Sequence, residues 1–373
     1  DIGNSYRSLE LKRAHDVSFF LFKNIGKCEL QLSLPVGFVG QTLDYRRGVK
    51  PFRIERNSVA IDDSRLFLQY QSDGAINGFE YNVATSLPSL TSMVTITDDT
   101  DPLNFYEGNP DLRNAYRHQF TYRLNTAGFK HNLTLNGSFT TDQIVNGYMY
   151  DNSTGIRRYK TFNINGDWDA AINYSKGEMN FGLGKGFFMG ITTATEVKFH
   201  NAVDMIGDAG DSPRKSDVRN FTVNENLKIN WFCPSPRSLL SLLVNATWRN
   251  STSPDHRGFR PINAAEFNYG LNYVVNLPAN FHISTDFGAY TRIGYGSKEL
   301  DKTDLVWNAR VSCTLGKGKW LIALDGFDLL NQLRNVSYSV NPQGRIEVRT
   351  NTLPRYALLH VQYRLNLLPK KRK

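Results

Sequence analysis

Along Tyr356–Asn366 two kinds of side chain alternate. Ala357, Leu359, Val361, Tyr363 and Leu365 occupy one set of positions; Leu358, His360, Gln362, Arg364 and Asn366 occupy the other. Successive side chains of a strand point to opposite faces, so this segment is a ribbon with one apolar and one mostly polar face. A single such strand also suits a soluble sandwich, and recurrence decides between the two. The pattern recurs. Phe221, Val223, Leu227, Ile229 and Trp231 oppose Asn224, Asn226, Lys228 and Asn230. Phe267, Tyr269, Leu271, Tyr273, Val275 and Leu277 alternate with Asn268, Gly270, Asn272 and Asn276. Leu305, Trp307, Ala309, Val311, Cys313 and Leu315 oppose Asn308, Arg310, Ser312 and Thr314.

Length and spacing sharpen the reading. Strands of about 9–12 residues match what a tilted strand needs to cross a bilayer core. Connections alternate between short turns and long loops, the latter near 87–115, 140–158, 200–218, 250–263, 292–303 and 331–352. Short turns on one side and long loops on the other mark an outer-membrane barrel, with the long loops outside. On this rule the closing strand runs inward and the basic tail ends in the periplasm. The Trp residues sit in or beside strands, mostly toward their ends, as an interfacial girdle requires. Nearer the N-terminus, His15–Asn24 and Cys28–Tyr45 read as strands. A polar loop is expected to about Asp63, then a hairpin of Arg65–Gln71 and Gly78–Ser86. Thr161–Tyr174 reads as one strand, followed by an SKGE turn and Met179–Phe199. The expectation is an all-β, transmembrane, antiparallel up-and-down β-barrel in the bacterial outer membrane. About 15 or 16 strands are visible, and residues 1–373 form a single unit.

Composition agrees. Gly, Tyr, Phe, Asn, Thr and Ser are plentiful, which favours strands and turns over helices. No apolar run reaches the length of a membrane helix, and DIGNSYRSLELKR has no apolar core of a signal peptide. The net charge of +9 comes from scattered residues, apart from the C-terminal LPKKRK, so no nucleic-acid partner is expected. Cys28, Cys233 and Cys313 are odd in number and far apart, which indicates neither a zinc site nor a disulfide framework.

No catalytic constellation appears, and an enzyme is not expected. GLGKG (Gly182–Gly186) lacks the Ser/Thr of a phosphate loop and reads as glycines at a barrel bend. Asp98, Asp99 and Asp101 lack the Gly and Glu spacing of a calcium loop. Asp167 and Asp169 share a face; in an enzyme they could be a carboxylate pair, but in a barrel they belong to a polar lumen row. Strand parity offers Asn163, Asp167, Asp169, Asn226, Lys228, Asn272 and Arg310 as lumen-lining, ligand-contacting residues, with no metal site and no cofactor.

DPLNFYEGNPDLRNAYRHQF (Asp101–Phe120) resembles a signature of barrels of the TonB-dependent receptor class, and most closely the outer-membrane barrel family abundant in Bacteroidota. LDGFDLLNQLRN (Leu324–Asn335) and LPRYALLHVQYRLN (Leu353–Asn366) resemble that family's ending. The resemblance spans essentially the whole chain. It implies nutrient uptake through a plugged lumen, with ligand captured by the outer loops. Energy would come through the TonB system, and a surface lipoprotein is an allowed partner. Complete barrels of that family have 22 strands and an N-terminal plug. This chain therefore reads as the C-terminal portion, its plug and first strands absent. The alternatives are a plug-less structural or binding barrel or passive pore in the same membrane, and a soluble secreted carbohydrate-binding β protein.

Overall fold

The computed structural model of the protein describes residues 6–126, 128, 130–208, 213–253, 261–296, 301–332, 335–341, 344–351, 353 and 355–365. The wall opens with β1 (Tyr6–Ile25) and β2 (Cys28–Arg47). β3 (Lys50–Ile61) and β4 (Ser64–Gln71) pair with successive halves of β2, so together they form one segment broken at Asp62–Asp63. β5 (Ala75–Ser86) follows. A 3-10 turn at Leu90–Met93 and two short strands, β6 (Asp98–Asp101) and β7 (Asn104–Glu107), lie in the next connection. β8 (Ala115–Thr126) and β9 (His131–Thr141) resume the wall, and β10 (Gln143–Tyr150) and β11 (Arg157–Ile164) make a further hairpin. Then come β12 (Trp168–Gly184), β13 (Phe187–Asp208), β14 (Arg214–Pro234) and β15 (Arg237–Thr252). β16 (Ile262–Leu277), β17 (Phe281–Ile293), β18 (Thr303–Leu315) and β19 (Trp320–Phe327) continue the meander. β20 (Asn335–Asn341) and β21 (Gly344–Thr350) form a separate hairpin, and β22 (Tyr356–Tyr363) pairs with β19.

The main sheet has 20 strands. With β3–β4 counted once, its wall consists of β1, β2, β3–β4, β5, β8, β9, β12 to β19 and β22, which is fifteen segments, each antiparallel to the next. An odd number of alternating segments leaves β1 and β22 running in the same direction. Among the described residues each of these two strands pairs on one side only.

Register turns the local alternation into two continuous faces. Ile191, Ile229, Leu242, Leu271, Phe287 and Trp307 are successive cross-strand partners from β13 to β18. The apolar face stays open: Leu271 is 40% exposed, Leu324 55% and Leu359 70%. A continuous apolar belt left uncovered on one face is what a bilayer covers. Short turns gather at one end, where Gln71 N–H donates to the Lys27 carbonyl at 3.0 Å and Arg364 N–H to that of Lys319 at 2.8 Å.

Several boundaries differ from the sequence reading. The strands are longer, reaching 22 residues in β13 and 21 in β14. Their outer ends stand beyond the belt, where Val203, Asp204, Ser216 and Val218 are buried and outward side chains no longer meet lipid, so the apolar alternation fades. For the same reason the expected polar loop before Asp63 is the strand β3: its outward Arg53 bonds Asp44 at 3.2 Å, while Phe52 and Ile54 pack inward. The expected single strand Thr161–Tyr174 is divided into β11 and β12 at Gly166, whose φ of 118° a side chain would oppose. SKGE lies within β12 at a register shift between Lys176 and Met179. The hairpin turn falls instead at Gly184, Lys185 and Gly186, with φ of 83°, 53° and 81°. The connections near 87–115 and 140–158 contain short strands. The LPKKRK tail and Asn366 lie outside the described residues.

Glu225 breaks the apolar face. It lies between Val223 and Leu227 in the middle of the belt, where Thr193 Oγ1 donates to it at 2.6 Å and Thr195 Oγ1 donates to its other oxygen. A carboxylate at that depth carries a desolvation cost that two hydroxyls only partly offset. Glu225→Leu should therefore raise stability by about 1 kcal/mol in urea unfolding from lipid vesicles. Thr193→Val should lower it.

Candidate functional site

The connection from β5 to β8 is a folded unit seated on the inner face. Leu43 of β2 and Leu90, Met93, Val94 and Leu112 of the connection form a buried cluster, with Tyr45, Phe52 and Ile54 packed around it. Arg47, 7% exposed, reaches out of β2 to bond Asp98 at 3.1 Å and Asp99 at 3.0 Å. The Thr100 hydroxyl holds the Asp98 carboxyl below its usual range; partial burial opposes it, and the Thr100 N–H and Arg47 assist. Asp101 caps the tight β6–β7 turn by accepting from Leu103 N–H at 2.9 Å and Asn104 Nδ2 at 2.7 Å. These acidic residues are thus used by the turn and by Arg47. Among the described residues no group of three or more metal-ligating side chains is assembled.

The GNPDL segment explains its own composition. A Cβ on Gly108 would overlap the Val94 carbonyl. Asn109 accepts from Asp111 N–H at 3.1 Å and donates to the Thr161 carbonyl at 3.0 Å, and its own N–H donates to the Ser92 carbonyl at 2.8 Å. Leu112 enters the buried cluster. Asn163, on β11, accepts from Arg113 N–H at 2.7 Å and donates to the Arg113 carbonyl at 3.0 Å. It therefore stitches the outer unit to the β10–β11 hairpin, away from the lumen-facing strand positions expected from parity.

The remaining sequence-selected residues fall into three places. Asp167 lies in the break before β12, 3.5 Å from His200 Nε2. Asp169 is on β12, accepting from Ser138 Oγ at 2.7 Å with Arg117 at 3.6 Å. Asn226, Lys228, Asn272 and Arg310 lie on the face opposite the apolar belt, on β14, β16 and β18. They are not one cluster but parts of an extended polar wall. Sequence reasoning missed the pairs that neutralise this wall. Glu80 holds Arg65 at 3.0 Å and Arg123 at 2.9 Å. Asp325, 5% exposed, holds His360 at 2.7 Å and Arg310 at 3.5 Å. Asp304 holds Arg292 at 2.8 Å and Lys302 at 2.7 Å. Parity could have placed each residue on the polar face, but the pairings depend on register between strands.

The polar wall offers hydrogen-bonding side chains to a ligand. No curated protein matches the chain significantly. The outer membrane protein beta-barrel family matches residues 65–363, from β4 to the end of β22. That span includes the paired polar wall, the GNPDL unit and most of the apolar belt. The chain therefore belongs to the outer membrane protein beta-barrel family and resides in the bacterial outer membrane.

Proposed function

We propose that this chain is the C-terminal part of the barrel of a TonB-dependent-receptor-like transporter, and that it imports a nutrient bound by outer loops and lumen. It is not an enzyme. Its partners are outer-membrane lipid, the TonB system acting through an N-terminal plug, and a surface lipoprotein above the outer loops. The supporting observation is the parity of the wall. Fifteen segments leave β1 and β22 running the same way, so an antiparallel closure takes an odd number of further strands. Seven more would complete the 22 strands that the resemblance implies. The GNPDL unit, one of the two parts of the chain that carry the resemblance, supports this reading.

The native protein, purified from membranes in detergent, tests it by its denatured mass. The expected value is well above 42.4 kDa, with the extra chain carrying a plug. A mass of 42.4 kDa together with steady ion conductance in planar bilayers would replace import with a passive pore.

A further inference from the structure

The inner wall of β14–β18 has a local composition unlike the rest. Two rows of hydrogen-bonding side chains cross it. Asn226, Asn245, Asn268 and Tyr290 are successive cross-strand partners, and so are Asn230, Ser241, Asn272, Asp286 and Asn308. Between them runs Lys228, Leu243, Gly270, Gly288 and Val306. Gly270 and Gly288 face each other across strands, so the centre of this strip has no side chains. The Tyr290 ring bends back over Gly288: a Cβ there would meet Tyr290 Cε2 at 3.1 Å and Cζ at 3.4 Å. Tyr290 remains 44% exposed, so ring surface stays open to the lumen.

The hydrogen-bonding capacity of the two rows is partly spent and partly free. Asn308 Nδ2 donates to Asp286 at 2.7 Å, Ser241 Oγ donates to Asn230 at 2.8 Å, and Asn245 donates to Asn226. The half-buried Asn268 and Asn272, directly flanking Gly270, have no side-chain hydrogen bond among the described residues. An amide offers both donors and an acceptor, which matches a hydroxyl, itself donor and acceptor. Charge is nearly balanced: Asp286 accepts from Asn308, Asp304, which continues the row of Tyr290 on β18, is held by Arg292 and Lys302, and Lys228 stands at the edge. An anion would need a surplus of cations, and a fully apolar ligand would leave the amides unsatisfied.

We propose that this strip is a binding bay for a neutral, polyhydroxylated ligand, a pyranose unit of an oligosaccharide. One ring face packs on Tyr290, Leu243 and the side-chain-free backbone at Gly270, and the rim hydroxyls bond Asn268 and Asn272. This names the ligand class for the import route and rests on that reading for its purpose.

The test uses the full-length natural protein in detergent on an array of neutral oligosaccharides, followed by titration calorimetry of a retained sugar. Triglycine and inorganic phosphate serve as comparators. At least one neutral oligosaccharide should bind, and neither comparator should. Tyr290→Ala and Asn272→Ala should each weaken it by about tenfold with an unchanged unfolding midpoint. Gly288→Ala, which pushes Tyr290 off the wall, should do the same. Retention of no neutral sugar, or equal binding by the variants, would overturn the proposal. Uptake of the bound sugar in cells lacking TonB separates the two readings. Undiminished uptake removes energised import and leaves the bay, whereas TonB-dependent uptake of a non-saccharide alone removes the bay.

Discussion

Leu271→Arg should destabilise the barrel by about 2–4 kcal/mol, while Asn272→Arg, one residue further on, should cost less than about 1 kcal/mol. The two positions are neighbours on β16 but point to opposite faces. Leu271 lies in the row of Ile229, Leu242 and Phe287, midway along the apolar belt. An arginine there would put a guanidinium in hydrocarbon, from which it can escape only by thinning the bilayer or stretching toward the headgroups. At 272 it would enter the hydrated lumen beside Asp286. Urea unfolding from lipid vesicles measures both. Equal effects would show that the face assignment is wrong, because a one-residue slip in register exchanges the faces.

The second large effect is expected at Gly108. Gly108→Val should undo the outer unit of residues 87–114 at a local cost of about 3 kcal/mol or more, without unfolding the barrel. The new side chain would meet the backbone of Val94, not a movable side chain, so no rotamer change relieves the overlap. The unit would lift away, taking Val94 and Leu112 out of the cluster on Leu43 and loosening Asn109 from Ser92 and Thr161. Limited proteolysis and hydrogen exchange should report new cleavage and faster exchange within 87–114. The shift in gel mobility on heating, typical of folded barrels, should persist. Leu112→Ala, which leaves the backbone free to pack, should cost about 2–3 kcal/mol and open the same region less completely. Protection of 87–114 equal to wild type in Gly108→Val would mean that the unit is not held as described.

Much of this molecule was legible in single strands. The alternation in Phe221–Trp231 and Glu266–Leu277 assigned each residue to a face, since side chains alternate along any strand wherever it pairs. Loop sorting supplied the orientation, with one exception: the outer connection at Gly48–Val49 is a tight turn between the long strands β2 and β3. The turn at Gly184–Gly186 was legible only as a bend, because the neighbouring SKGE offered an equally plausible turn chemistry.

What the sequence determined by itself is therefore the all-β class, the face on which each residue of the belt lies, and the outer membrane as its solvent. These follow from period-two patterning and strand length, which are local. The tertiary structure alone decided how far strands rise beyond the belt, where Thr161–Tyr174 divides, and which charges meet. Asp325 with His360, Glu80 with Arg65 and Arg123, and Tyr290 over Gly288 depend on register or on backbone space. Above the bilayer the outward face meets water and the other can pack against an outer connection, as Phe52 and Ile54 do, so the lipid-facing contrast that reveals a strand within the membrane disappears. Register is set by pairing between segments far apart in the chain, and no local pattern records it.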